Sequence, residues 1–176
     1  MMMKERVVEM KKAFFIVCLL VIAVAVLGLC TAGCGKHYKV VAKYSGDAAR
    51  NMLLNRPWLD EYPAKPEQKF MAYVFSDELV GVHDRADSAY RHLLEIFTFR
   101  VDPEKILYLF PHDQRKAEST YRIEKIQGGH FNLKLTMMKD PQMGGKTYVY
   151  FSHTEWDVKN SSTIPMAVRN VIRTMR

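Results

Sequence analysis

Apolar residues are spaced in three ways along this chain, and each spacing predicts a different kind of element. Residues 13–29 are apolar throughout and carry no charge. As a helix at about 1.5 Å per residue they would reach roughly 25 Å, slightly short of a bilayer span of about 20 residues. From position 58 to 151 the apolar residues come in short runs separated by turn residues, the signature of β-strands. After Pro165, Val168, Val171, Ile172 and Met175 recur at helical spacing, with Arg169, Arg173 and Arg176 on the adjacent face. That end predicts a short amphipathic helix packed on the strands.

The strand region divides at its turn residues. Trp58 opens it, and residues 70–75 (FMAYVF) form an aromatic-rich strand buried on at least one face. Residues 79–83 follow after Ser76-Asp77-Glu78, and residues 93–101 come next. Asp102-Pro103-Glu104-Lys105 is a turn, since proline presets its first bend. Residues 106–110 resume, and Pro111 stops them. Residues 120–125 and 131–137 show the period of two most clearly: Phe131, Leu133, Leu135 and Met137 alternate with His130, Asn132, Lys134 and Thr136. Gly128-Gly129 supplies the positive φ of a tight hairpin between them, and residues 147–151 follow a second pair, Gly144-Gly145. Eight strands with short links predict antiparallel neighbours, and hence a mainly β fold: an up-and-down barrel over residues 56–152. Residues 153–176 form the C-terminal segment with its short helix. Upstream, residues 34–55 read as a polar tether followed by a short helix over 48–54, capped by Asp47 and ended by Pro57.

The apolar run has a positive start, Lys11 and Lys12, and small residues at its end, Thr31-Ala32-Gly33, then Cys34. That is the layout of a secretory signal over residues 1–33, and Met10 alone would also make a compact start for it. The competing expectation is an uncleaved N-terminal anchor helix. Cysteine usage favours cleavage: Cys18 and Cys30 would leave with the signal, so Cys34 would have no disulfide partner and needs another chemical purpose. The arrangement Thr31-Ala32-Gly33-Cys34 resembles the lipobox of bacterial lipoproteins. This resemblance implies recognition of Thr31, Ala32 and Gly33 by the signal peptidase, and acylation of Cys34 with diacylglyceryl and palmitate-type chains. It implies an envelope location, with Gly35 after the cysteine favouring the outer membrane. Two or more acyl chains hold a protein stably, at about 0.8 kcal/mol per buried methylene.

Charge adds little beyond this. Without residues 1–33 there remain 22 Lys+Arg against 17 Asp+Glu, a modest excess spread along 143 residues. A nucleic-acid binder would carry a clustered basic stripe, and none is present.

Trp58 at the first strand, the run of strands and the terminal helix resemble the bacterial lipocalin-like proteins. The matching stretches are Arg56-Pro57-Trp58, Tyr73-Val74-Phe75-Ser76-Asp77, residues 97–110, Tyr121-Arg122-Ile123 and residues 131–135. The resemblance implies an eight-stranded barrel with a late arginine on the tryptophan, for which Arg169 is the candidate.

Chemistry is sparse. His83-Asp84, His112-Asp113 and His153 with Glu155 lack metal-ligand spacing, and adjacent strand residues face opposite ways. No Gly-x-Ser-x-Gly elbow occurs. The expectation is a protein without catalytic residues, metal or cofactor, whose partners are the membrane, through its anchor, and either an apolar small molecule or an envelope protein. Two readings stay open. The barrel encloses a pocket for a lipid or fatty acid, lined by Trp58, Tyr73, Phe75, Phe97, Phe99, Tyr108, Tyr121, Phe131 and Leu133; or those side chains fill it, and the protein is an envelope structural or assembly component.

For the anchor, Cys34→Ala is expected to abolish acyl labelling in cells and leave the precursor at full length on a gel. Continued acyl labelling of the variant would refute the assignment.

Overall fold

The computed structural model describes residues 38–65, 68–88 and 91–173. Residues 1–33, expected to be a signal, with Thr31, Ala32 and Gly33 among them, and Cys34 and Met175 lie outside the described residues. The described strands are β1 (Lys39–Tyr44), β2 (Pro57–Leu59), β3 (Phe70–Phe75), β4 (Val80–Ser88), β5 (Arg91–Asp102), β6 (Lys105–Phe110), β7 (Arg115–Gln127), β8 (Leu133–Asp140) and β9 (Lys146–Ser152). Two α-helices accompany them, α1 (Gly46–Leu53) and α2 (Met166–Arg173).

Strands β2 to β9 form a closed antiparallel barrel of eight strands. The order runs β7-β6-β5-β4-β3-β2-β9-β8, and β8 returns to β7 through pairs from Thr120↔Met138 to Lys125↔Leu133. Closure removes the edges of an open sheet along most of the wall. The ninth strand, β1, is a departure from the sequence reading, which took residues 35–47 as tether. The alternation there is too weak to signal a strand, and residues 39–43 are exposed. What holds β1 is the length of β7: its 13 residues outrun β6, and the surplus edge from Ile123 to Gln127 pairs with β1.

Period-two alternation sets the two faces. Tyr73, Phe75, Phe97, Phe99, Ile106, Tyr108, Phe110, Leu133, Leu135 and Tyr150 turn inward into one buried cluster. Arg100, Lys116, Glu118 and Arg122 turn outward to water. Helix α1 sends Ala49 and Leu53 into the same interior cluster. The Trp58 indole N–H donates to the Leu53 carbonyl at 2.9 Å, fixing the helix to the first barrel strand. Its N-cap is Ser45 rather than Asp47, which falls in the first turn. Helix α2 starts after Pro165, as its spacing predicts, and Val168 and Ile172 are buried in a second cluster with Leu59, Phe70, Ala72 and Trp156. This cluster lies on the outer wall, because Phe70 and Ala72 alternate with inward Met71 and Tyr73.

Gly81 is where the interior is tightest. A Cβ there would fall inside the Phe97 ring, which is fully buried and faces it across the β4–β5 pair. Gly81→Ala is therefore expected to destabilise the fold by about 1–3 kcal/mol, the usual cost of overpacking, with partial recovery in Gly81→Ala/Phe97→Leu. Chemical denaturation of both variants checks this. A wild-type midpoint for the single variant would contradict the packing described.

Candidate functional site

Eight of the nine residues expected to line the barrel do share its interior: Trp58, Tyr73, Phe75, Phe97, Phe99, Tyr108, Tyr121 and Leu133 belong to one buried cluster. Phe131 does not. It precedes β8 and packs in the second cluster, T-shaped to Trp156 at 5.8 Å and stacked on Phe151 at 5.4 Å. The alternation that put it in register with Leu133 and Leu135 breaks at the residue before the strand starts.

Within the barrel the rings touch one another across the interior. Tyr73 meets Phe75 at 5.3 Å and Tyr150 at 5.1 Å; Phe97 meets Tyr108 at 5.2 Å and Phe110 at 5.8 Å; Phe75 meets Phe99 at 5.2 Å. These are the separations of favourable offset and edge-to-face pairs, worth about 0.5–1.5 kcal/mol each beyond area burial. Phe110 and Tyr150 complete the filling. Phe110 sits on an aromatic-apolar strand, so alternation from Tyr108 would have placed it; Tyr150 alternates with Tyr148 in the same way.

Among these rings lies one carboxyl group. Asp140, fully buried at the end of β8, accepts the Tyr73 hydroxyl at 2.7 Å and the Tyr150 hydroxyl at 2.8 Å. The Gln142 backbone N–H adds a third bond at 2.9 Å. Burial raises the Asp140 pKa, and the tyrosine hydrogen bonds pull it back. The Tyr73 and Tyr150 hydroxyls are pushed up by burial, then by the neighbouring carboxylate. No strand pattern marks Asp140 as interior, because it terminates its strand; only the fold reveals it.

A groove of about 670 Å³ opens at the end of the barrel that carries the β4–β5, β6–β7 and β8–β9 connections. It is bordered by His83 and Arg85 of β4, residues 93–96 of β5, Pro111, His112 and Gln142. His83 is 4% exposed, its ring 4.5 Å from Tyr73, and its Nε2 has no hydrogen-bond partner; nor has Nε2 of Gln142. Burial, then the Arg85 charge, lowers the His83 pKa from 6.5 to about 4, so the imidazole is neutral near pH 7.

The histidine–acid pairs noticed in the sequence separate. Asp84 faces the other side of β4 and bonds His92 Nδ1 at 2.8 Å. His112 lies 3.5 Å from Asp113 and 3.7 Å from Glu95, on the surface, and His153 Nδ1 lies 4.0 Å from Glu155. Among the described residues no three His, Cys, Asp or Glu side chains are grouped to hold a metal ion. Arg169 is exposed on α2, in a small cleft with Ser161 and Ile172, while Trp58 bonds Leu53. It is Arg56 that ties the barrel start to the chain beyond β9, donating to the His153 and Thr154 carbonyls at 3.1 and 3.0 Å.

No family model, curated protein or solved structure matches the chain.

His83 makes stability depend on pH with a definite sign. The unfolded chain takes up a proton near pH 6.5 and the folded chain only near pH 4, so stability present at neutral pH is lost as pH falls between them. The slope is about 1.4 kcal/mol per pH unit, about 3 kcal/mol in all. Replacing His83 by phenylalanine is expected to remove this part of the pH dependence. Denaturation curves of both proteins from pH 7 to 4 check it, and equal slopes would refute it.

Proposed function

We propose that this is a lipid-anchored, non-catalytic protein of the bacterial cell envelope, lipocalin-like in architecture, whose barrel is filled by its own side chains. It acts as a structural or assembly component, through its surface. The observation that carries this reading is the interior: Tyr73, Phe75, Phe97, Tyr108, Phe110 and Tyr150 are at most 3% exposed and lie ring against ring. An eight-stranded barrel is just wide enough either to be filled this way or to hold one small ligand, and here the side chains occupy the space. Helix α1 adds Leu53 and Ala49 to the same packing.

The lipobox resemblance at Thr31-Ala32-Gly33-Cys34 supports attachment through acyl chains on Cys34. The outward rows of the barrel agree with attachment by an anchor rather than by the wall. Arg100, Lys116, Glu118 and Arg122 are exposed where a membrane-spanning barrel would present an apolar band.

The reading is tested on full-length protein purified from bacterial membranes in mild detergent. Native mass spectrometry and solvent extraction are expected to recover only acyl chains covalently bound at Cys34. Added fatty acids are expected to move Tm by less than about 1 °C, since a ligand stabilises only what binds it. A free apolar molecule at one per chain, with a gain of several degrees on its addition, would restore the carrier reading in place of this one.

A further inference from the structure

Among the described residues, the first half of β5 has a strand partner on one side only. Its pairs with β4 run from Val80↔Thr98 to Ala86↔His92 and, past a bulge, Ser88↔Arg91, but β6 begins to pair with β5 only at Thr98↔Leu109. The Phe99 N–H donates toward β4, to the Leu79 carbonyl at 3.0 Å. By the alternation of an antiparallel ladder, Phe97, Glu95 and Leu93 also turn their backbone groups to β4, and His92, Leu94 and Ile96 turn theirs away. They turn them into the groove. The groove borders both faces of β5, taking Leu93 and Glu95 from one and Leu94 and Ile96 from the other. It is thus the slot where a further strand would lie.

One residue keeps the slot open. Continuing the β5–β6 register sets Pro111 opposite Ile96, at a position that must donate an N–H to the ladder. Proline has none, and β6 ends at Phe110. The open edge has no proline or lysine between Arg91 and Ile96, and its charges are Arg91 at the end and Glu95 on the inner face. Leu93, Leu94 and Ile96 are 46%, 49% and 59% exposed there. At its inner border, Nε2 of His83 and of Gln142 lack partners although buried.

We infer that this slot binds an extended polypeptide segment of a partner protein by strand addition to β5. Three residues with outward backbone groups, spaced about 6.8 Å apart, match a peptide backbone and not a compact small molecule. The segment carries apolar side chains on the outer row, against Leu94 and Ile96, and a hydrogen-bonding side chain on the inner row, toward His83 and Gln142. A second copy of this chain does not fit. Pairing two β5 edges so that His92, Leu94 and Ile96 are all used sets Arg91 of one copy beside Phe97 of the other, a place Phe110 already takes. The inference rests on the filled-barrel reading, since it supplies the surface through which such a protein would act.

The test selects a displayed library of random peptides of about nine residues against the full chain in detergent, in parallel with Leu94→Pro. That substitution removes an N–H the fold does not use and is expected to keep Tm; Ile96→Lys serves as a second variant that leaves every backbone group in place. Selected peptides are expected to alternate apolar with hydrogen-bonding residues. They should slow hydrogen exchange of the His92, Leu94 and Ile96 amides at least about tenfold and bind either variant at least about tenfold more weakly. Backbone N-methylation on the facing edge of the peptide should abolish binding. The inference is overturned if nothing is selected, if both variants yield the same peptides, or if bound peptide leaves those three amides unprotected. Failure here leaves the filled interior standing, whereas a stoichiometric lipid inside the barrel would undo that reading whatever the peptides do.

Discussion

Between β3 and β9 the barrel wall is carried by β2, three residues long, which pairs with β9 at Leu59↔Phe151. So short a strand contributes few ladder bonds, and the Asp140 carboxyl supplies a tie from inside. It holds Tyr73 of β3 and Tyr150 of β9 by one oxygen each, spanning the weak strand between them. A carboxyl buried this deeply would be expensive without partners, and three hydrogen bonds meet most of its capacity. The Ser152 hydroxyl, donating to the Pro57 carbonyl at 2.7 Å, reinforces the same seam from β9 to β2. The aromatic filling depends on this closure, because the rings of Tyr73 and Tyr150 stand in its centre and are oriented by their hydroxyls.

That dependence bears on function. A barrel that carries a guest must leave its interior apolar and empty, or line it with groups that await a partner. Here Asp140, Tyr73 and Tyr150 satisfy one another, and the rings around them meet at contact distance. Among the buried side-chain atoms without a partner, Nε2 of His83 and of Gln142 border the groove at the end of the barrel, while the Tyr108 and Tyr121 hydroxyls are unpartnered in the interior cluster. An unmet buried polar atom costs about 1–3 kcal/mol, and the two at the groove lie beside the open edge of β5.

The barrel itself was legible because period-two alternation and the glycine, proline and aspartate turns both survive in the sequence. Strands β3, β6 and β9 fall within a residue or so of where these signals put them. Strands β4, β5 and β7 run longer than their patterns indicate, β4 through Asp84, Arg85 and Asp87, because these ends show no apolar alternation, even where, as at Asp84, the residue is buried. The same reason hid β1. Most of the interior was legible too, because the aromatics fall at every second position of their strands, but Phe131 shows the limit: alternation continued past the strand's true start assigns a residue to the wrong side. The Asp140 tie and the open β5 edge could not be read at all. Both arise from which strands become neighbours, and local spacing carries no such information.

The open edge follows from a single residue rather than from a failure of the barrel to close. A strand β6 longer by five residues would cover His92, Leu94 and Ile96 and leave no groove. Pro111 prevents it at the first step, because the ladder needs an N–H there. Beyond it, Gln114 takes a positive φ of 57° and the chain turns directly into β7, whose Arg115 then grips Glu95 at 2.9 Å. This ion pair holds the β6–β7 turn against the middle of β5 and sets one wall of the slot. The opposite wall is the β4 row with His83, itself pinned by its contact with Tyr73 and so by the Asp140 tie. The interaction that closes the barrel therefore also shapes the one place where its sheet is left unfinished.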